Sequence, residues 1–249
     1  MNFRAAYPGC KRVGLDRRFS LNDAGPGLSK LMLVCTVLGA GLHLAASLRT
    51  LGSRRSVLFF ALGAGLPAAA ELLATGPLEL LRHRLRYRVA GVPLAVLLGW
   101  YAAIHGSFAV AKRVSERPRI GEEAKRRTVP ALAALVGVGL DLVLDPAGLD
   151  IGLWEWNSDG AYASGVQGAN GRRGVPLVNY FGWITLVGAV ACVYGSVRRN
   201  ESEEGLLPAL LLLPYYLAGV GWALRRRRFR YLLYSAPFPV ALYAALENR

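Results

Sequence analysis

The sequence predicts an all-α integral membrane protein, a polytopic bundle of about seven transmembrane helices. Three observations predict it. Hydrophobic residues make up 53% of the 249-residue chain, and mean hydropathy is +0.32. The apolar residues gather into runs that approach the roughly 20 needed to cross a bilayer as a helix. Between the runs stand arginine clusters: Arg54-Arg55, Arg82 to Arg88, Arg126-Arg127, Arg198-Arg199 and Arg225 to Arg228. A soluble fold of this length has little room for so many helices that are apolar all round.

The runs are 31–48, 57–74, 89–111, 129–144, 177–197, 206–224 and 230–246, of which the first, fourth and last are short. Residues 1–30 form a basic N-terminal segment with Gly25-Pro26-Gly27 ahead of the first run and no cleavable signal pattern. Residues 31–249 are read as a single transmembrane helical domain. Pro93 and Pro176 fall in the first turns of two helices, where a missing N–H would be unpaired anyway. The stretch 112–128, KRVSERPRIGEEAKRRT, reads as a solvated loop. The connection 145–175 is long, polar and rich in Gly, Asp, Asn and Trp. Loops of that length in compact domains are often functional.

The net charge of +14 could suggest nucleic acid, but the Lys and Arg lie between apolar runs. That placement suits anionic headgroups, so membrane lipids are the expected partners and nucleic acid is not. With seven spans, one face collects about 17 of the 30 Lys and Arg and the other about 13, which leaves orientation open. Cys10, Cys35 and Cys192 are too scattered for a disulfide framework or a metal site. His43, His83 and His105 lack ligand spacing. Dinucleotide, P-loop and nucleophile-elbow signatures are absent from the sequence. Neither a metal nor a cofactor is expected.

A short repeat marks the place to look for function. Gly174-Val175-Pro176-Leu177 is followed by Gly182-Trp183, and Gly91-Val92-Pro93-Leu94 by Gly99-Trp100, at the same spacing. In each unit proline and tryptophan are seven residues apart, about two turns, and share a helix face. Asn179 lies on that face in the second unit, where the first has Val96. A polar residue in only one copy suggests that its helix faces a polar pocket.

Three carboxyls could line it. Asp141 and Asp145 are four residues apart and share a helical face. A carboxyl within the bilayer normally faces the protein interior. Two so close can hold one proton between them and supply an acid and a base. For Asp145, ahead of Pro146, the alternative is a helix end at the interface. Glu71, within Ala68-Ala69-Ala70 and Leu72-Leu73, is a functional candidate or a structural bond between helices. Trp154, Trp156 and Tyr162 accompany Glu155, Asn157 and Asp159 in the long connection. Such aromatics serve either as interfacial anchors or, with their faces, as cation stabilisers.

The run GLDLVLDPAGLDIGLWEW at 139–156, followed by GAY at 160–162 and GVPLVNYFGW at 174–183, resembles the carotenoid 1,2-hydratase family, which includes the bisanhydrobacterioruberin and γ-carotene hydratases. The resemblance covers about 70–200 and takes in Glu71, Thr75-Gly76 and the first GVPL–GW unit. Two departures stand out. Residues 163–173 separate Tyr162 from GVP, where the family has almost none, and Pro77-Leu78-Glu79-Leu80 replaces a Pro-Phe-Gly-x-Tyr stretch.

The resemblance implies a cofactor-independent hydratase of the cell membrane. It would add water across the terminal C1,2 double bond of a lipid-soluble linear carotenoid. Protonating that trisubstituted alkene leaves a tertiary cation, which water captures as a tertiary alcohol. Asp141 is the expected acid, sharing its proton with Asp145. Asn179 or Glu71 would position water. Trp100, Trp154, Trp156, Tyr162 and Trp183 would surround substrate. Other carotenoid-pathway enzymes are candidate partners. Two further readings remain: another membrane isoprenoid enzyme such as a cyclase, and a lipid or isoprenoid transporter or binding protein.

Overall fold

In the computed structural model, which describes residues 25–116, 121–197 and 205–247, the first two apolar runs become a helical hairpin. Helix α1 (Pro26–Leu51) turns at Gly52 into α2 (Ser53–Thr75), and Gly52 has a φ of +75°, which glycine adopts without strain. After a short connection come three small strands, β1 (Leu81–His83), β2 (Arg88–Val89) and β3 (Val92–Pro93), then α3 (Leu94–Ser115) and α4 (Glu122–Asp150). Strands β4 (Trp154–Trp156), β5 (Tyr162–Gln167) and β6 (Arg173–Val175) lead into α5 (Leu177–Val197). The chain ends with α6 (Leu207–Leu210), α7 (Leu213–Arg225), α8 (Arg230–Tyr234) and α9 (Pro237–Glu247).

Among the described residues, six helices are long and apolar enough to cross a membrane, counting Leu207–Arg225 as one. The fold is an all-α polytopic bundle with α3 and α4 as its most buried members. The outer helices turn large apolar side chains outward, among them Leu38, Val57 and Phe181. Lipid tolerates these as well as a protein core does. Small residues bring α4 and α5 together. A Cβ on Gly137 would lie 3.0 Å from Val187, and one on Gly188 would lie 3.7 Å from Ala134.

The seventh expected span is not one helix. Its run divides at Ser235-Ala236 into α8 and α9, each too short to cross alone. The stretch 112–128 is mostly helix: α3 continues to Ser115 and α4 begins at Glu122. Pro93 and Pro176 sit one step ahead of the first helical residue rather than inside the first turn. Most of the N-terminal basic segment, with Cys10, and the pair Arg198-Arg199 lie outside the described residues.

Helix α4 does not stop at Asp145. It runs through Pro146 to Asp150. A proline inside a helix leaves the carbonyl four residues earlier without its donor. That carbonyl belongs to Leu142, and the Tyr162 hydroxyl donates to it at 2.7 Å. Burial pushes the Tyr162 phenol well above its ordinary range, so it stays a donor.

The strands form a cap at one end of the bundle. β1 pairs antiparallel with β4, β2 with β3, and β5 with β6. The first ladder joins segments far apart in sequence, with Leu81 opposite Trp156 and His83 opposite Trp154. Arginines read as headgroup contacts are partly used here. Arg84 pairs with Glu155 at 3.0 Å, Arg226 with Asp150 at 2.8 Å, and Arg88 donates to the His83 carbonyl at 2.5 Å.

The 163–173 insertion folds into the β5–β6 hairpin, which returns Tyr162 opposite Val175. The adjacency of tyrosine and GVP, lost in sequence, is restored in space. Gly160 makes the close approach possible: a Cβ there would lie 2.0 Å from the Val175 carbonyl carbon.

Candidate active site

Helices α1 to α5, the β1–β4 ladder and, through Leu212 and Tyr215, the α6–α7 segment surround one pocket, with a cavity volume of about 160 Å³. Glu71, Asp141, Asp145, Asn179, Trp100, Trp154, Trp156 and Trp183 all line it. Of the residues expected to surround a ligand, Tyr162 does not. It packs among Tyr180, Tyr231 and Tyr234, and its hydroxyl serves the Leu142 carbonyl. The rest of the wall is largely apolar, including Leu81, Leu85, Leu140 and Leu144.

Asp141 and Asp145 stand one turn apart on α4 and turn inward, 5% and 2% exposed. Asn179 faces them from the first turn of α5. Its side-chain amide donates to Asp141 Oδ2 at 2.8 Å and to Asp145 Oδ2 at 2.7 Å. The two hydrogens of one amide therefore bridge two carboxyls. The Trp154 indole N–H donates to the other Asp145 oxygen, Oδ1. Both oxygens of Asp145 are thus engaged, while among the described residues no side chain donates to Asp141 Oδ1.

Glu71 forms the second centre, from α2. Its Oε2 is 2.8 Å from His83 Nε2, and its Oε1 accepts the Trp100 indole N–H at 2.9 Å. Thr75 donates back to the Glu71 carbonyl at 2.7 Å. Trp100 also stacks on Trp183, ring centroids 4.0 Å apart and planes inclined by 27°. The matched tryptophans of the two GVPL–GW units therefore meet face to face. Val96 and Asn179, equivalent positions in those units, line the same pocket. The repeat builds two walls of one site and makes only one of them polar.

Sequence reasoning missed His83 and the indole N–H groups as donors. A signal for His83 was present. LRHRLRYR at 81–88 alternates strictly at its start, which is strand periodicity. Leu81, His83 and Leu85 are buried, and the intervening arginines are less so. The donor roles depend on distant pairings, the β1–β4 register for His83 and Trp154 and the meeting of α2 with α3 for Trp100, and have no local trace.

Gly148 makes room for the Trp154 ring. A Cβ there would lie 2.2 Å from the indole. Gly148→Val is expected to displace the ring and remove a donor from a buried carboxyl, at a cost of about 1.5–3 kcal/mol. The thermal-unfolding midpoint in detergent should fall. An unchanged midpoint would show that the indole is not held by Asp145.

Comparison with curated proteins and with solved structures gives no match. Among family models, the one described as carotenoid biosynthesis protein matches residues 31–224, a span that contains every residue lining the pocket. The chain belongs to the carotenoid biosynthesis protein family.

Proposed function

We propose that this protein is a carotenoid hydratase of the cell membrane, which adds water across the terminal C1,2 double bond of a linear carotenoid to give a tertiary alcohol. The observation that carries the reading is the Asp141–Asn179–Asp145 bridge at an otherwise apolar pocket. Asp141 Oδ1 is the oxygen free to carry a proton to the alkene. Its transfer to the less substituted carbon leaves a tertiary cation. The stacked indoles of Trp100 and Trp183 offer π-faces to that charge. Water then captures it. No redox change is involved, so the reaction itself demands no cofactor.

The pocket is smaller than the roughly 300–1,000 Å³ of sites that bury a drug-sized ligand. That size suits the end of a long polyene rather than its whole length. Gly99 lines the pocket, and a Cβ there would meet nothing within 4 Å. A side chain can therefore leave the backbone at this position without a clash at its Cβ, and Gly99→Phe should take up space that the substrate end needs. The expected result is loss of product with normal amounts of membrane-inserted protein. Unchanged product would place the substrate elsewhere.

Co-expression with a linear-carotenoid pathway, followed by mass analysis of the pigments, tests the function. A gain of one water per reacted end supports hydration. A cyclised product of unchanged mass would make the chain a cyclase, and unaltered pigment would remove the reading.

A further inference from the structure

His83 is a buried titratable group on the pocket wall that the acid step leaves unused, and it is 4% exposed. The β1–β4 ladder sets it opposite Trp154, the residue whose indole holds Asp145. Its Nε2 lies 2.8 Å from Glu71 Oε2. With Glu71 Oε2 as the acceptor, the hydrogen of this bond sits on Nε2. In a neutral imidazole Nδ1 is then a bare lone pair. Nδ1 is buried and has no hydrogen-bond partner among the described residues. Buried acceptors without a donor are rare in folded proteins. Nδ1 is closed off in this conformation, and a small shift of the pocket wall would let a water supply that donor.

We infer that His83 is the general base of the reaction, taking a proton from the water that captures the cation, with Glu71 fixing its tautomer. The inference rests on the hydratase reading. The alkene π pair forms a C–H bond with the Asp141 proton, leaving a carboxylate and a tertiary cation. A lone pair of water forms the C–O bond. As the water O–H breaks, its electron pair stays on oxygen and its proton goes to Nδ1. The imidazolium stands against the Glu71 carboxylate. Solvent water carries the proton back to Asp141, which restores both groups.

Trp100 makes Glu71 a sensitive control. Its N–H can only donate, so a Gln at 71 must turn its oxygen toward Trp100 and its NH₂ toward His83. His83 Nε2 then has to accept, and the hydrogen moves to Nδ1, where it blocks the lone pair. Glu71→Gln should thus mimic His83→Gln while keeping the shape of the site.

The test uses membranes carrying the full chain and a linear carotenoid in D₂O. Wild type should give deuterated alcohol. His83→Gln and Glu71→Gln should each lose about 10²-fold or more of the alcohol, per unit of inserted protein. Both should still wash deuterium into the recovered alkene, because Asp141 can protonate and deprotonate it without the base. A purely structural role would not produce that exchange. Alcohol within a few-fold of wild type in both variants would overturn the inference. So would loss of both alcohol and exchange in Glu71→Gln. A wild-type chain that forms no alcohol would remove the hydratase reading, and the role of His83 with it.

Discussion

Asp141→Asn is expected to stop formation of hydroxylated carotenoid while leaving the chain in the membrane. Asparagine is nearly isosteric with aspartate. Its amide oxygen can still accept from Asn179, so the bridge between α4 and α5 survives. What is lost is a carboxylic proton at the oxygen that no donor holds. General acids and bases typically contribute about 10²–10⁴-fold in rate. The deuterium wash-in that survives in the base variants should vanish here, because the cation never forms. Product per unit of inserted protein is the measurement. Activity within a few-fold of wild type would remove Asp141 as the acid and leave Asp145 or Glu71.

Asn179→Leu should damage both stability and activity. The native amide donates to Asp141 and Asp145 at once. Leucine is close in size but has nothing to donate, so two buried carboxyls lose a shared partner. The bond to the protonated member of the pair is worth about 0.5–1.5 kcal/mol and the bond to an ionised partner about 1.5–3 kcal/mol. The thermal midpoint in detergent should fall, and what remains folded should hydrate poorly because the carboxyls no longer hold their relative positions. Asn179→Asp would add a third carboxyl to the cluster and should be at least as harmful. A Leu variant with wild-type midpoint and activity would mean that the bridge matters for neither.

The sequence was most legible where the bilayer constrains it. Apolar length marks the first six spans, since a helix is the ordinary way to cross hydrocarbon with every backbone group bonded. Polarity inside those runs marks Glu71, Asp141 and Asn179, and all three line one pocket. Reading failed where partners are distant. Leu81 meets Trp156 across most of the central bundle sequence, and nothing local in either strand announces the pairing. Trp100 and Trp154 were read for their ring faces, but their N–H groups hold the carboxyls. Tyr162 was read as part of the site, but its hydroxyl serves the carbonyl that Pro146 frees: Leu142 lies twenty residues back, beyond β4 and the end of α4, and only the fold brings the two together. His83 was hidden by charge, because an arginine-rich stretch suggests headgroups before it suggests a strand.

The Asn179 bridge also bears on how the chain is made. During synthesis α4 enters the membrane before α5 exists, with Asp141 and Asp145 on one face and no amide to receive them. A helix centre bearing an Asp inserts at a penalty of about 2.5–3.5 kcal/mol on the translocon scale. Helix α5 brings both the missing donor and the small-residue contact at Gly137 and Gly188. The two segments are therefore suited to leave the insertion machinery as a pair, and a nascent chain halted before Asn179 should hold α4 less firmly in the bilayer than one halted after α5.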